Sequence, residues 1–128
     1  MPQTILVVDD DTANRVTLER ILVREGFMVE HAASGRNAME QLREHEVDLV
    51  LTDLKMPGMS GVELLRAART LDPTLEVVVM TAYGTVEIAV EAMKEGAYDF
   101  VEKPFKRLEL LTVLKKALEK RSLILENQ

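Results

Sequence analysis

Short apolar runs that each end on a polar residue constrain the fold of this 128-residue chain more than any other feature. Continuous apolar runs are typical of parallel strands that are buried on both faces of a sheet. The carboxyl ends of parallel strands share one edge, where open α/β sheets bind their ligands. The runs, with the polar residues that follow them, are 5–8 with Asp9 and Asp10, 47–52 with Asp53, 77–80 with Thr81, and 98–102 with Lys103. The sequence therefore predicts a pocket that combines carboxylates, a hydroxyl and an ammonium group.

Segments with helical periodicity separate these runs. Leu18, Ile21 and Leu22, for example, repeat at the spacing of one helix face. Ser60 and Glu63 have the spacing of a capping box at a helix start. This alternation predicts an α/β fold, with a doubly wound parallel sheet and right-handed crossovers. The predicted strands are 5–8, 27–32, 47–53, 77–81 and 98–102, and the predicted helices are 12–24, 35–44, 60–71, 85–95 and one that begins near residue 105.

Composition and charge exclude several classes of protein. A hydrophobic content of 47% can fill the core of one domain. The absence of cysteine excludes disulfides and thiolate metal sites. No apolar run approaches the roughly 20 residues of a membrane span and no secretory pattern opens the chain, so we expect a cytoplasmic protein without a membrane partner. A net charge of −6 argues against direct nucleic acid binding by this segment.

Asp9, Asp10 and Asp53 would place like charges in a small space if their strands are neighbours. Such repulsion is costly unless a cation offsets it. Mg²⁺ suits this purpose because it prefers a few carboxylates together with water and phosphate oxygens. The alternative for Asp9 and Asp10 is a favourable interaction with the dipole of the following helix. Asp11 or Thr12 is best interpreted as the cap of that helix.

Thr81 and Lys103 also have ordinary explanations. Threonine often satisfies a backbone group at a strand end, and lysine is common where an element ends. The proline after Lys103 biases this lysine away from helical backbone angles. We hypothesise a cis Lys103–Pro104 bond, which would turn the chain sharply and direct the lysine inward.

Four segments together resemble the motifs of the receiver domain of bacterial two-component response regulators, over essentially the whole chain. The segments are 7–11 (VVDDD), 51–61 (LTDLKMPGMSG), 80–82 (MTA) and 103–105 (KPF). Each motif alone is weak, whereas their order and spacing together are specific. The resemblance implies a flavodoxin-like, doubly wound sheet of five parallel strands in the order 2-1-3-4-5, with five helices.

The same resemblance implies a phosphorylation-activated signalling switch that is phosphorylated by a sensor histidine kinase. The implied roles are phosphoacceptor for Asp53, Mg²⁺ ligand for Asp10, Asp53 and the carbonyl oxygen of Lys55, water-mediated Mg²⁺ contact for Asp9, phosphoryl contact for Thr81 and Lys103, and conformational switch for Thr81 and Phe100. Self-phosphorylation and autophosphatase chemistry are expected to be intrinsic to the chain. It is not expected to be an enzyme that turns over an external substrate.

The resemblance also implies a signalling surface on the fourth helix, fifth strand and fifth helix, where a homodimer is one expectation. The candidates for its outer face are Ile88, Ala92, Tyr98, Arg107 and Leu111. Lys55 and Tyr83 each lie two residues beyond a site residue. We expect these two side chains to restrict water and to slow hydrolysis of the phosphoryl group.

The last predicted helix has apolar positions beyond the length that a domain needs. Leu111, Leu118 and Leu125 recur every seven residues, although so short a heptad pattern does not establish a coiled coil. We predict a receiver domain over residues 1–118 and a helical linker, or an extension of the last helix, over residues 119–128. This C-terminal helix is a second candidate surface for a homodimer.

The stretch 95–100 and the helical tail are similar to the receivers of enhancer-binding AAA+ transcription activators. That similarity implies AAA+ and DNA-binding domains in a longer protein, and the alternative is a stand-alone receiver or phosphorelay intermediate. An aspartate-nucleophile phosphatase of the haloacid dehalogenase type is disfavoured, because its nucleophile lies on the first strand. A partner-binding pseudo-receiver is disfavoured because such a protein normally lacks an acid or the lysine of the site.

Overall fold

The computed structural model describes residues 2–82 and 86–127, which form a parallel sheet with helices on both faces. The strands are β1 (Thr4–Val8), β2 (Met28–Ala32), β3 (Leu49–Asp53), β4 (Glu76–Ala82) and β5 (Asp99–Lys103). The helices are α1 (Thr12–Arg24), α2 (Gly35–Glu44), α3 (Gly61–Leu71), α4 (Val86–Lys94) and α5 (Arg107–Glu126). The strand order is β2-β1-β3-β4-β5. The predicted doubly wound α/β fold is therefore confirmed.

Each face of the sheet has its own apolar core, because successive side chains of a strand point to opposite faces. Val50, Val77 and Val79 pack with α2, α3 and α4 on one face. Leu51 and Met80 pack with α1 and α5 on the other face. Full burial of one such side chain contributes about 1.5–3 kcal/mol. Burial on both faces explains why the strands appear in the sequence as continuous apolar runs.

Local sequence signals set the ends of the elements. Asp11 caps α1 by accepting backbone N–H groups of its first turn, and Ser60 and Glu63 form the predicted capping box of α3. Strand β2 begins one residue later than predicted. The reason is that the N–H of Phe27 donates to the carbonyl oxygen of Leu22 and closes the end of α1.

Helix α5 is a single helix of 20 residues that continues to Glu126. It begins at Arg107 rather than near residue 105, because Phe105 packs against the core in the turn after β5. The predicted tail is therefore helical up to residue 126. None of the helices in the two described ranges combines the length and the apolar character that a membrane span requires.

The predicted outer face of α4, β5 and α5 is only partly correct. Ala92 and Leu111 are buried, and both belong to the cores beneath their helices. Ile88 and Tyr98 are half-buried, and Arg107 is exposed. The helix phase places other apolar side chains outward, namely Val90 and Met93 on α4 and Leu108 on α5, which is 79% exposed.

Candidate functional site

The parallel register brings the ends of four strands to one edge of the sheet. Val8 pairs with Thr52, Asp53 with Met80, and Ala82 with Lys103. The residue after each strand, or its last residue, therefore lies at this carboxyl edge. The structure places Asp9, Asp10, Asp53, Thr81 and Lys103 there, as the sequence predicts.

Asp53 is the last residue of β3, and its side chain is 15% exposed. Its Oδ2 lies 3.1 Å from Nζ of Lys103, and its Oδ1 accepts the N–H of Lys55 at 3.5 Å. Gly61 packs against the carbonyl group of Asp53, so closely that a Cβ at this position would lie 2.7 Å from Cα of Leu54. The glycine is therefore required for the approach of α3 to the end of β3.

Asp9 is completely buried and hydrogen-bonded on both carboxylate oxygens. Its Oδ1 accepts the N–H of Asp11 at 2.9 Å. Its Oδ2 lies 3.3 Å from the amide nitrogen of Asn14 and 3.4 Å from Nζ of Lys103. The guanidinium group of Arg15 donates to the backbone carbonyl oxygen of Asp9. The carboxylate is thus held in one orientation before any ligand binds.

Sequence reasoning missed Asn14 and Arg15. Both belong to the first turn of α1 after its cap residue. Side chains of a helix tilt toward its amino terminus, and this direction lets both residues reach back to Asp9. The signal available in the sequence was the presence of two polar residues soon after Asp9 and Asp10, which follow the end of a strand.

The carboxylates of Asp9, Asp10 and Asp53 form a compact cluster, with one oxygen of each within 4.8 Å of the others. Asp10 is exposed and Asp53 is half-buried, so the cluster opens to solvent on one side. Hard oxygen ligands at this spacing fit Mg²⁺, which keeps several waters when it binds to carboxylates. The donor set of this acidic cluster therefore suits the expected magnesium ion.

Lys103 is the cation that faces this cluster. Burial lowers the pKa of Lys103, but the hydrogen bond that Lys103 donates to Asp53 and the charges of Asp53 and Asp9 outweigh burial and raise the pKa above its ordinary value. The Lys103–Pro104 bond is cis, as hypothesised. Lys103 therefore remains an ammonium group at neutral pH, within reach of two carboxylates.

A small cavity of about 120 Å³ lies beside Asp53. Its lining includes Lys55, Thr81, Ile88 and Lys103. Thr81 is only 3% exposed, and the alternation of β4 puts it on the same face as Val79. The cavity therefore connects the carboxylate of Asp53 with the hydroxyl-bearing end of β4 and with α4.

Phe100 lies on the strand next to Thr81. It pairs in register with Val79 and packs, half-buried, against the core on the α4 side of the sheet. Thr81 and Phe100 consequently occupy the same face of adjacent strands, two positions apart along the register. Tyr83, which was expected to restrict water at the site, lies outside the described residues.

Residues 5–115 match the family model of the response regulator receiver domain. The chain belongs to this family. Receiver domains are the phosphorylation-controlled switches of two-component signalling, and the acidic cluster at Asp53 is where such domains bind Mg²⁺. This receiver is therefore a switch rather than an ordinary enzyme.

The relatives of this receiver include a protein much longer than the chain and a protein of similar length. It is 46% identical over 114 residues to transcriptional regulatory protein ZraR of Escherichia coli (strain K12), covering 89% of this chain and 26% of that protein. It is 36% identical over 122 residues to sporulation initiation phosphotransferase F of Bacillus subtilis (strain 168), covering 95% of this chain and 98% of that protein. The chain thus spans about a quarter of the length of ZraR.

A solved structure supports the same assignment. The crystal structure of NtrX from Brucella abortus in complex with ATP superposes with a TM-score of 0.93 at 37% identity. The match covers 98% of this chain and 29% of that chain. The flavodoxin-like receiver fold is therefore shared over nearly the entire sequence.

Proposed function

We propose that Asp53 accepts a phosphoryl group from a sensor histidine kinase and that this modification switches the receiver on. The observation that supports this role most directly is the position of Asp53, which joins the acidic cluster and also bonds to Lys103 at 3.1 Å. A carboxylate in this position is near a cation and near a metal site. Both can offset the charge of a transferring phosphoryl group.

Asp10, Asp53 and the carbonyl oxygen of Lys55 would hold Mg²⁺ directly, and Asp9 would hold one of its waters. When bound, magnesium would neutralise charge on the phosphoryl oxygens and orient them. The residues Asp11, Asn14 and Arg15 fix Asp9 for this task through the hydrogen bonds described above.

In the transfer step, a carboxylate oxygen of Asp53 attacks the phosphorus of the kinase phosphohistidine. The P–N bond breaks, and its electron pair stays on the imidazole nitrogen. Lys103 then donates a hydrogen bond to one phosphoryl oxygen in place of Asp53, and the hydroxyl of Thr81 donates to another phosphoryl oxygen. Attack by water later breaks the P–O bond to Asp53 and releases phosphate, so the chain has autophosphatase chemistry of its own.

The signal would leave through Thr81 and Phe100. A ligand shifts an equilibrium only through contacts that differ between two states, and movement of Thr81 toward the phosphoryl group would change the space available to Phe100. The surface affected is that of α4, β5 and α5, where the exposed side chains of Val90, Met93 and Leu108 offer a homodimer contact.

The output is proposed to be activation of transcription. In a longer protein, residues 1–118 would be the receiver, and residues 119–128 would connect it to AAA+ and DNA-binding domains. The similarity to ZraR supports this proposal. The similarity to sporulation initiation phosphotransferase F over 98% of that protein favours the alternative, a stand-alone receiver in a phosphorelay. The full reading frame distinguishes the two.

Intact-mass measurement after incubation with acetyl phosphate and Mg²⁺ tests the central proposal. We expect a gain of one phosphoryl group in the unmodified chain and no gain in Asp53→Ala. No gain in either protein would favour a pseudo-receiver that only binds partners. A gain that persists in Asp53→Ala would assign the phosphoacceptor to another residue.

Lys55 is exposed beside this site, and Tyr83 follows Thr81 by two residues. We propose that their side chains restrict the approach of water to the acyl phosphate. The doubly substituted Lys55→Ala/Tyr83→Ala chain should then lose its phosphoryl group faster than the unmodified chain. Equal lifetimes, followed by mass at successive times, would remove this proposal.

A further inference from the structure

The edge of the sheet opposite Asp53 carries a second set of charges, which the proposed mechanism does not use. Acidic residues before and at the start of β3 and β4 surround two adjacent cations of α5 there. We call Lys120 and Arg121 the basic pair, and residues 119–127 the tail. The acidic residues are Glu46, Asp48, Asp72 and Glu76.

Arg121 is held almost completely out of water, with a side chain that is 4% exposed. Its Nη1 lies 2.7 Å from Oγ1 of Thr74 and 3.3 Å from Oδ2 of Asp72. Its Nε lies 3.5 Å from Oδ1 of Asp48, and its Nη2 lies 3.8 Å from Oε1 of Glu46. A buried charge is tolerated only with such partners, so undocking the tail would leave several acids unpaired.

The acids that receive Arg121 are themselves held in place. Oδ2 of Asp48 accepts the N–H of Thr4 at 2.8 Å, at the start of β1. Oδ1 of Asp72 accepts both the N–H and the hydroxyl of Thr74. Arg121 therefore docks into an acidic receptor, made of Glu46, Asp48 and Asp72, that the segments before β3 and β4 build.

Lys120 contacts a different part of the same edge. Its Nζ lies 3.5 Å from Oε2 of Glu76 and 5.7 Å from the ring centroid of Tyr98. Glu76 is 2% exposed, and its Oε2 accepts no hydrogen bond from any residue that the structure describes. Glu76 is the first residue of β4 and Tyr98 directly precedes β5. Lys120 thus bridges the near ends of the two strands that carry Thr81 and Phe100.

We propose that the basic pair couples the tail of α5 to the phosphorylation switch. Arg121 fixes the tail on the acidic receptor. Lys120 links the tail to β4 and β5, so that a displacement of one strand against the other changes its contacts with Glu76 and Tyr98. The proposal rests on the proposed function for the existence of the switch. Both residues lie beyond the family match, which ends at residue 115.

Hydrogen exchange of the unphosphorylated chain tests the role of Arg121. In Arg121→Met we expect the tail amides to exchange about tenfold faster or more, because the tail loses the hydrogen bonds that Arg121 donates to Thr74 and Asp72. Lys116→Met is the matched control, since Lys116 is exposed and makes no ion pair within the described residues. If Arg121→Met does not fold, Arg121→Lys replaces it in the same exchange measurement. Unchanged protection of the tail in the variant that folds would overturn the anchoring role.

Exchange after treatment with acetyl phosphate and Mg²⁺ tests the role of Lys120. We expect phosphorylation to change tail exchange by a few-fold in the unmodified chain and in Lys116→Met, but not in Lys120→Met. Intact mass must show equal phosphoryl gain in all three. A response that persists in Lys120→Met, or is absent from a phosphorylated unmodified chain, would overturn the coupling. Absence of any phosphoryl gain would instead contradict the proposed function, and the anchoring result would stand.

Discussion

The two edges of the sheet differ in how their charges are balanced. At the carboxyl edge, Lys103 faces three clustered acids, and that cluster is open to solvent on one side. At the amino edge, the acidic receptor and Glu76 face the basic pair and Arg69. The carboxyl edge keeps an excess of negative charge that a metal ion and a phosphoryl group can change. The amino edge comes closer to balance, because three cations face its four acids.

The largest effect expected from this comparison follows loss of the amino-edge cation. Arg121→Met removes a buried guanidinium that donates hydrogen bonds to Thr74 and Asp72, and a hydrogen bond that involves a charged group contributes about 1.5–3 kcal/mol. Urea unfolding should show this loss in the free energy of unfolding. Lys116→Met should change it by less than about 0.5 kcal/mol. Equal stability of the two variants would contradict the structural role of the amino edge.

The second prediction concerns the close contact of Gly61 with the backbone at Asp53 and Leu54. Gly61→Ala forces a Cβ into the backbone at Asp53 and Leu54, so we expect a loss of about 1–3 kcal/mol, typical of overpacking. Phosphorylation by acetyl phosphate should also slow. Gly35→Ala is the matched control, because Gly35 also begins a helix but its Cβ meets only the side chain of Met59. A larger loss in Gly35→Ala would refute this account.

Removal of a negative charge at the carboxyl edge should raise the free energy of unfolding rather than lower it. Asp10→Asn relieves repulsion, so without magnesium the variant should be more stable by about 1 kcal/mol or less. Added Mg²⁺ should stabilise the unmodified chain by mass action and should stabilise the variant less. Thermal unfolding with and without Mg²⁺ measures both effects. Glu40→Gln, an exposed acid of α2, should show neither change.

A smaller effect concerns the support of Asp9. Asn14→Leu removes an amide donor from Oδ2 of Asp9, and a hydrogen bond of this kind contributes about 1 kcal/mol. We expect titration calorimetry to show Mg²⁺ affinity reduced about fivefold, and urea unfolding to show a loss of about 1 kcal/mol. Thr17→Val, on the exposed side of α1, should leave the affinity unaltered. Equal affinity in Asn14→Leu would show that Asp9 needs no such support.

The pH dependence gives the smallest effect. Burial raises the pKa of Asp72, but hydrogen bonds from Thr74 and the charge of Arg121 outweigh it, so the pKa is lowered from 3.8. A lowered folded-state pKa stabilises the fold above the unfolded-state pKa, and this stability is lost as pH falls through the folded-state value. The loss should be small because Asp72 is 39% exposed. Unfolding between pH 6 and about 3 should show a weaker decline for Asp72→Asn.

The sequence predicted the site at the carboxyl edge of the sheet better than the ion pairs at the amino edge. Asp53, Thr81 and Lys103 follow apolar runs directly, so their place at one edge needs only the rule for parallel strands. The strand order required the family resemblance, because no periodic pattern encodes it. Ala92 and Leu111 were assigned outward incorrectly, since small shifts in helix phase exchange buried and exposed positions.

Local pattern therefore determined the strands, the caps at Asp11 and Ser60, and the chemistry of the carboxyl edge. Each depends on residues that are adjacent or one helical turn apart. Tertiary structure alone decided the rest. Arg121 meets Asp48 and Asp72 across separations of dozens of residues, and Asn14 reaches Asp9 only after α1 docks. Which charged side chains pair depends on which of them are buried together. Burial is a property of the folded chain rather than of any local segment.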